Sequence, residues 1–423
     1  MAHALRERYN DEQLIVLVCR RNPGSLTYDG IEVGAERVAK EIEDMLEELS
    51  RDGHKITKFS IVGYSLGGLV ARYTIGLLYH KGYFEQITPV NFTTFVTPHL
   101  GVRTPLTGYS NHIWNVLGAR TLSTSGRQLF LIDNFRNTGR PLLSVLADAD
   151  SIFIHALACF QNRTLYTNIV NDRSAVFYTT GISKTDPFTH LGRVHLRYIK
   201  GYEPVILDRD CPWELVPEQE LPTFSQRVRD GSQTLLRRAP ILLALCVLIP
   251  LATIAFLINS CIQTFRSRRR IQLHETDHDG HGFGVYRIPY MVREMRVGLE
   301  DAFENVNSAQ EQEYLPEGSE ELSEVAPPSD CSYHDVAPEK SEVDPLKRET
   351  SASERSHDFP TLALTAAQFA MIKALDDVGF HKYPVHIHKS SHSHAAIIVR
   401  APRAAFEEGK LVVNHWLEHE FKI

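Results

Sequence analysis

The chain has 423 residues, of which 43% are hydrophobic and 23% charged, and a formal net charge of -7. Such a composition belongs to a globular protein of one large domain plus extras, or of two or three ordinary domains. The negative balance argues against a general nucleic-acid binder. The six cysteines form no CxxC pair, which excludes a disulfide framework or compact zinc pattern and fits a reducing, cytosol-facing setting.

In chain order, residues 2–9 read as a helix, and the N-terminal MAHALRERYNDEQ lacks the apolar core of a secretory signal. Residues 14–19 (LIVLVC) form a continuous apolar run, as expected of a strand buried on both faces. Residues 32–50 predict a helix, because Val38, Ile42, Met45, Leu46 and Leu49 recur at spacings of three and four. A second strand is expected at 59–63, a second helix at 66–79 and a third strand at 92–96. A helical stretch at 142–160 and a strand at 164–170 follow. Strands alternating with helices predict a mostly parallel α/β sheet.

Beyond this first core part, expected to span 1–205, a basic linker is expected over 206–238. An apolar run then covers 239–261. A lid or amphipathic region over 262–306 carries the stripe Met291, Met295, Leu299 and Phe303, read as core or lid packing. The tract 307–358, rich in Glu, Ser and Pro, is expected to be disordered. Residues 359–423 return to the core, with a helix near 361, a strand at 383–388 and a last helix near 412–421.

The strongest motif is Gly63-Tyr64-Ser65-Leu66-Gly67, inside KFSIVGYSLGGLVARY. It matches G-x-S-x-G, and its strand-before, helix-after context is what a nucleophile elbow needs. Gly63 and Gly67 are expected to permit the close backbone approach of the turn. Ser65 is then the candidate nucleophile, and the Leu66 N–H a candidate oxyanion donor. In this arrangement an acid and then a histidine follow in the chain. Asp172 lies just behind a strand in TLYTNIVND; Asp186, in SKTDPF, is its competitor. For the base, His386, His388, His392 and His394 cluster in YPVHIHKSSHSHAAIIVR. His394 lies in a loop between a strand and a helix start, where a base belongs. His392 is the rival, and His386 and His388 alternate within a strand.

Five blocks (RRNPGSLTYDGIEVGAERVAKEI, KFSIVGYSLGGLVARYTIGLLY, FVTPHLGVR, NIVNDRSAVFYTT and SHSHAAIIVR) together resemble fungal members of a serine esterase family. These are lipase-like α/β-hydrolases and include a lipid-droplet phospholipase. The resemblance implies an α/β-hydrolase fold and an esterase acting on lipid acyl chains. It carries nucleophile to Ser65, acid to Asp172 and base to His394, and makes His99 pocket structure. It also implies a strand and His-Gly oxyanion loop ahead of residues 2–9, so the N-terminal strand and second oxyanion donor are expected to be missing from these 423 residues, as a truncated start rather than a shortened, impaired protein. A catalytically impaired, membrane-anchored scaffold, or a lipid acyltransferase, is the alternative reading. No metal or organic cofactor is expected.

Smaller signals carry less. His274 to His281 (HETDHDGH) matches no compact zinc spacing. Gly30 and Gly34 lack the preceding strand of a dinucleotide fingerprint. Asn91 and Asn162 head NxS/T sequons but adjoin strand-like runs, so glycosylation is not expected.

The run APILLALCVLIPLATIAFLINSC is long enough to span a bilayer. Yet it separates Ser65 and Asp172 from His394, and arginines flank it on both sides (Arg237 and Arg238; Arg268, Arg269 and Arg270). Pro250 divides it into halves of about 13 Å as helix. The expectation is therefore a kinked anchor, with Ile241, Leu245, Pro250 and Phe256 in lipid and both ends on one side. The protein is expected to be membrane-associated and cytosol-facing, on a lipid droplet or the endoplasmic reticulum, with a lipid ester or phospholipid as substrate.

Overall fold

The computed structural model describes residues 1–102, 123–172, 174–216 and 359–423, with isolated positions at 262, 266, 269 and 314. The apolar run with Ile241, Leu245, Pro250 and Phe256, the amphipathic stripe, the polar tract and the His274 to His281 cluster lie outside the described residues. Among the described residues, no helix is long and apolar enough to cross a membrane.

Four strands, β1 (Lys58–Tyr64), β2 (Thr88–Phe95), β3 (Asn162–Asn168) and β4 (His381–Val385), form one parallel sheet in the order β1-β2-β3-β4. On one face pack α2 (Ile31–Arg51), α3 (Leu66–His80), α4 (Ile152–Ala158) and α5 (Ala366–Val378). Their Ile31, Leu69, Ile75, Phe153, Leu157 and Leu375 close over Phe92 and Leu165. On the other face, α1 (Ala2–Arg8), the four-residue α6 (Ser393–Ala396) and α7 (Glu407–His415) cover Phe95, Tyr166 and Tyr383. Helices on both faces satisfy strands that are apolar on both sides. A two-stranded antiparallel hairpin, Val194–Leu196 with Trp213–Leu215, is additional to the expected elements.

Register is held by stacked aromatics. Phe95 sits opposite Tyr166 and Tyr166 opposite Tyr383. Their ring centroids are 5.0 and 5.2 Å apart, nearly parallel. Trp416, fully buried, closes this row edge-on against Phe95 and donates its Nε1–H to Thr93 Oγ1 at 3.2 Å. Beside it, the Tyr166 hydroxyl meets His415 Nδ1 at 2.8 Å. The Glu420 carboxylate accepts from Tyr383, Thr164 and His381.

Several expectations shift. Residues 14–19 join no ladder. Leu14 and Val16 reach the cluster containing Val62 and Tyr64, and Leu17 the one containing Phe59 and Val70. Ile15 and Val18 stay 38% and 43% exposed. Side-chain alternation is therefore present, but a strand also needs a hydrogen-bonded neighbour, and β1 is paired only with β2 among the described residues. The helix expected over 142–160 is split into Leu142–Leu146 and α4, where Ser151 starts a new helix by accepting from the Ile154 N–H. β4 ends at Val385, because the His386 N–H turns away to Val205 O. The last helix widens into a π-helical turn at Trp416–Glu420, where the Phe421 N–H donates to Trp416 O. Both sequon asparagines are buried, with side-chain amides donated to Lys422 O and Glu420 O, so neither is available to a glycosyltransferase.

Trp416→Ala is expected to lower unfolding free energy by about 3–5 kcal/mol, measured by urea denaturation. A pH effect accompanies it. Burial, followed by the charge of His419, pulls His415 down from 6.5 to about 4. The unfolded chain then binds the extra proton, so stability is expected to fall as pH drops from about 6.5 toward 4. Urea titrations across that range should be flatter for His415→Gln.

Candidate functional site

Ser65 sits between β1 and α3 with φ 53 and ψ -130, a left-handed conformation strained for a residue with a side chain. The turn is fixed on both sides: Ser65 N–H donates to Phe95 O at 2.9 Å, and Ser65 O accepts from Gly68 N at 3.0 Å. A Cβ at Gly63 would strike the Gly68 backbone, and one at Gly68 would strike the Thr97 side chain. Gly67 has open space around it. The close approach expected of Gly63 and Gly67 thus belongs to Gly63 and Gly68. Val96, a β-branched residue directly after β2, is also left-handed at φ 44. Leu66 is the first residue of α3, so its N–H has no partner within the helix and is available to an oxyanion at Ser65.

Three separated segments meet here. His394 Nε2 lies 3.0 Å from Ser65 Oγ. His394 Nδ1 lies 2.9 and 3.1 Å from the two carboxylate oxygens of Asp172. Asp172 is buried. It accepts two further hydrogen bonds, from Asn168 Nδ2 and the Ala175 N–H, each at 2.9 Å. A buried carboxylate needs such donors, since an unpaired buried charge costs several kcal/mol. They also leave Asp172 facing Nδ1, which fixes the proton there and leaves Nε2 as acceptor toward Ser65.

The competing residues have other places. Asp186 accepts from the Phe188 N–H in its own turn. His392 is exposed, and its N–H donates to Ser390 Oγ. His386 meets the Tyr198 hydroxyl at 2.8 Å, and His388 meets Glu408 at 3.0 Å. His99 is fully buried with Nε2 3.1 Å from Thr94 Oγ1. Burial, then the charges of Arg72 and Lys382, holds its pKa well below the ordinary histidine value, so it is a neutral interior group.

The sequence reading missed the supports. Asn168 stands four residues before Asp172, at the end of β3. Ser393 donates to Val170 O at 2.9 Å, joining the base helix to the acid loop. Glu408 accepts from the His388 and Lys389 N–H groups and anchors the loop leading to His394. No spacing rule marks these residues: Ser393 and Glu408 act through contacts distant in sequence, and Asn168 belongs to no motif although it is only four residues from Asp172. Among the described residues, no group of three or more His, Cys, Asp or Glu side chains is arranged to hold a metal.

Residues 1–185 match the family described as "Putative serine esterase (DUF676)". That stretch contains Ser65 and Asp172, whereas His394 lies beyond it. Three curated fungal proteins are also similar. A Saccharomyces cerevisiae protein named "Putative lipase ROG1" is 32% identical over 211 residues, 49% of this chain and 29% of its own. "Putative lipase YDL109C", also of Saccharomyces cerevisiae, is 31% identical over 189 residues, 44% of this chain and 27% of its own. "Putative lipase C4A8.10" of Schizosaccharomyces pombe is 29% identical over 163 residues, 37% of this chain and 20% of its own. The match thus spans less than a third of each of these longer relatives. No solved structure matches the chain.

Within the segment that matches this family, Asp172 and Asp186 can be separated by mutation. Asp172→Asn is expected to lower kcat for a soluble ester by on the order of 10⁴-fold. Asp186→Asn is expected to leave it within about twofold, because Asp172, not Asp186, faces His394 Nδ1. Initial-rate measurements with circular dichroism as a folding control decide between them.

Proposed function

We propose that this chain is a serine hydrolase of lipid acyl esters, a lipase or phospholipase with an α/β-hydrolase core. The observation that carries the reading is the hydrogen-bonded line from Ser65 through His394 to Asp172, drawn from three distant segments. The strained elbow and the free helix N-terminus at Leu66 agree with it, and the names of the similar fungal proteins support lipid as the substrate class.

In this mechanism Ser65 Oγ attacks the ester carbonyl carbon as His394 Nε2 takes its proton. The carbonyl oxygen becomes an oxyanion beside the Leu66 N–H. Asp172 stabilises the imidazolium without accepting its proton. Collapse breaks the bond to the alcohol, which leaves with the proton from Nε2. Water, deprotonated by His394, then attacks the acyl-enzyme. The carboxylic acid departs and Ser65 regains its proton. The apolar run over 239–261, with its basic flanks, would hold this cleft at a membrane or lipid-droplet surface facing the cytosol.

The test is covalent. A fluorophosphonate should label the wild-type chain at Ser65 and fail to label Ser65→Ala, and His394→Ala should label slowly. Phospholipid or acylglycerol in vesicles should be cleaved faster than a soluble short-chain ester. Folded wild-type protein that takes no label would overturn the hydrolase reading in favour of a lipid-bound scaffold. Product appearing on an added alcohol, with no free acid, would make it an acyltransferase.

A further inference from the structure

His394 is carried on α6, a helix of only four residues. Isolated helices of that length do not persist in water, because nucleation costs more than one turn returns. The orientation of the base must therefore be imposed from outside. Two of its contacts belong to the reacting line already described, Ser65 at Nε2 and Asp172 at Nδ1. A third comes from Tyr64. Its hydroxyl donates to the main-chain carbonyl of His394 at 3.0 Å. Its ring lies 5.2 Å from the imidazole, tilted by 45°.

Tyr64 is the last residue of β1, and Ser65 follows it directly. Two consecutive residues therefore hold opposite parts of one histidine, its ring nitrogen and its main chain. On the far side, Ser393 is tied to Val170 O in the acid loop. The short helix is thus suspended between the strand of the nucleophile and the loop of the acid. Space filling does not account for this. A phenylalanine would pack against the same apolar cluster, whereas the acceptor of the tyrosine hydroxyl is the carbonyl of His394 itself.

We infer that Tyr64 is a positioning residue for His394. Because Tyr64 and Ser65 share a peptide unit, a displacement of the elbow carries the base with it. The separation of Ser65 Oγ and His394 Nε2 is then set locally instead of through the long chain path between them. The inference rests on the reading of Ser65 as nucleophile and His394 as base.

The full-length wild-type chain, Tyr64→Phe and Tyr64→Leu would be compared in three measurements. These are turnover of a soluble nitrophenyl ester, labelling rate with a fluorophosphonate, and hydrogen exchange over residues 393–397. Tyr64→Phe is expected to lower kcat about fivefold, the loss of one hydrogen bond, with KM within about twofold. Labelling should slow by the same factor, and exchange over 393–397 should quicken. Tyr64→Leu, which also removes the ring, should lose more of both. Tyr64→Phe indistinguishable from wild type in kcat and exchange would overturn the inference. So would a raised KM at unchanged kcat, which would make Tyr64 a substrate contact. If the wild type takes no label, the nucleophile reading fails, and the exchange comparison still decides whether Tyr64 holds the helix.

Discussion

The pairing of β4 with β3 is the constraint on which the site depends. Asp172 follows β3 and His394 follows β4, so their separation is inherited from the strand register, in which Asn168 lies opposite Val385. A slip of one residue would move one side chain about 3.3 Å along the strand direction and turn it to the other face. Either change is larger than a hydrogen bond tolerates. The register is stitched beyond the sheet edge as well. Ile169 N–H donates to Val385 O, Asn171 Nδ2 to Ile387 O and Ser393 Oγ to Val170 O. The acid loop and the base loop leave the sheet already joined.

The two faces of the sheet divide the work. The face under α2 to α5 is mainly apolar. The other face, under α6 and α7, carries the aromatic row and a buried polar network. Against the effect of burial, hydrogen bonds from Tyr383, Thr164 and His381 hold Glu420 below its ordinary value. A fully partnered network of this kind admits few alternative packings, because any shift leaves a buried charge unsatisfied. It lies on the same face as α6. Gly409 of α7 approaches the carbonyl of Ala396 so closely that no side chain would fit between them. The packing that fixes the C-terminal segment therefore also backs the helix that bears His394.

Much of this was legible in the sequence where the signal is local. The 3.6-residue pattern over α2, the apolar runs of β1 and β2, and the motif around Ser65 each describe a short stretch whose structure follows from its own residues. Chain order and position after a strand led to Asp172 over Asp186 and to His394 over His392, and the structure brings the first of each pair to Ser65. Residues 14–19 show the limit of such reading. Their alternation reports which core each side chain joins but not whether the backbone finds a partner. Ser393, Tyr64 and Glu408 show another limit: their roles lie in contacts with residues far along the chain. Gly68 was overlooked for a simpler reason. The motif names the next glycine back, and only the three-dimensional approach of Thr97 distinguishes the two.

The same long-range geometry brings the two boundaries of the described core together. Trp213, close to where the chain leaves the described core, packs edge-on against Phe359, where it returns, with ring centroids 5.0 Å apart. The Arg193 guanidinium lies over the same Phe359 ring at 5.9 Å, and Leu362 N–H donates to Lys184 O at 3.0 Å. Departure and return are thus neighbours on one surface. Trp213 and Phe359 tie together the two parts of the chain that carry Asp172 and His394, so that β3 and β4 share one sheet and the two side chains reach one site.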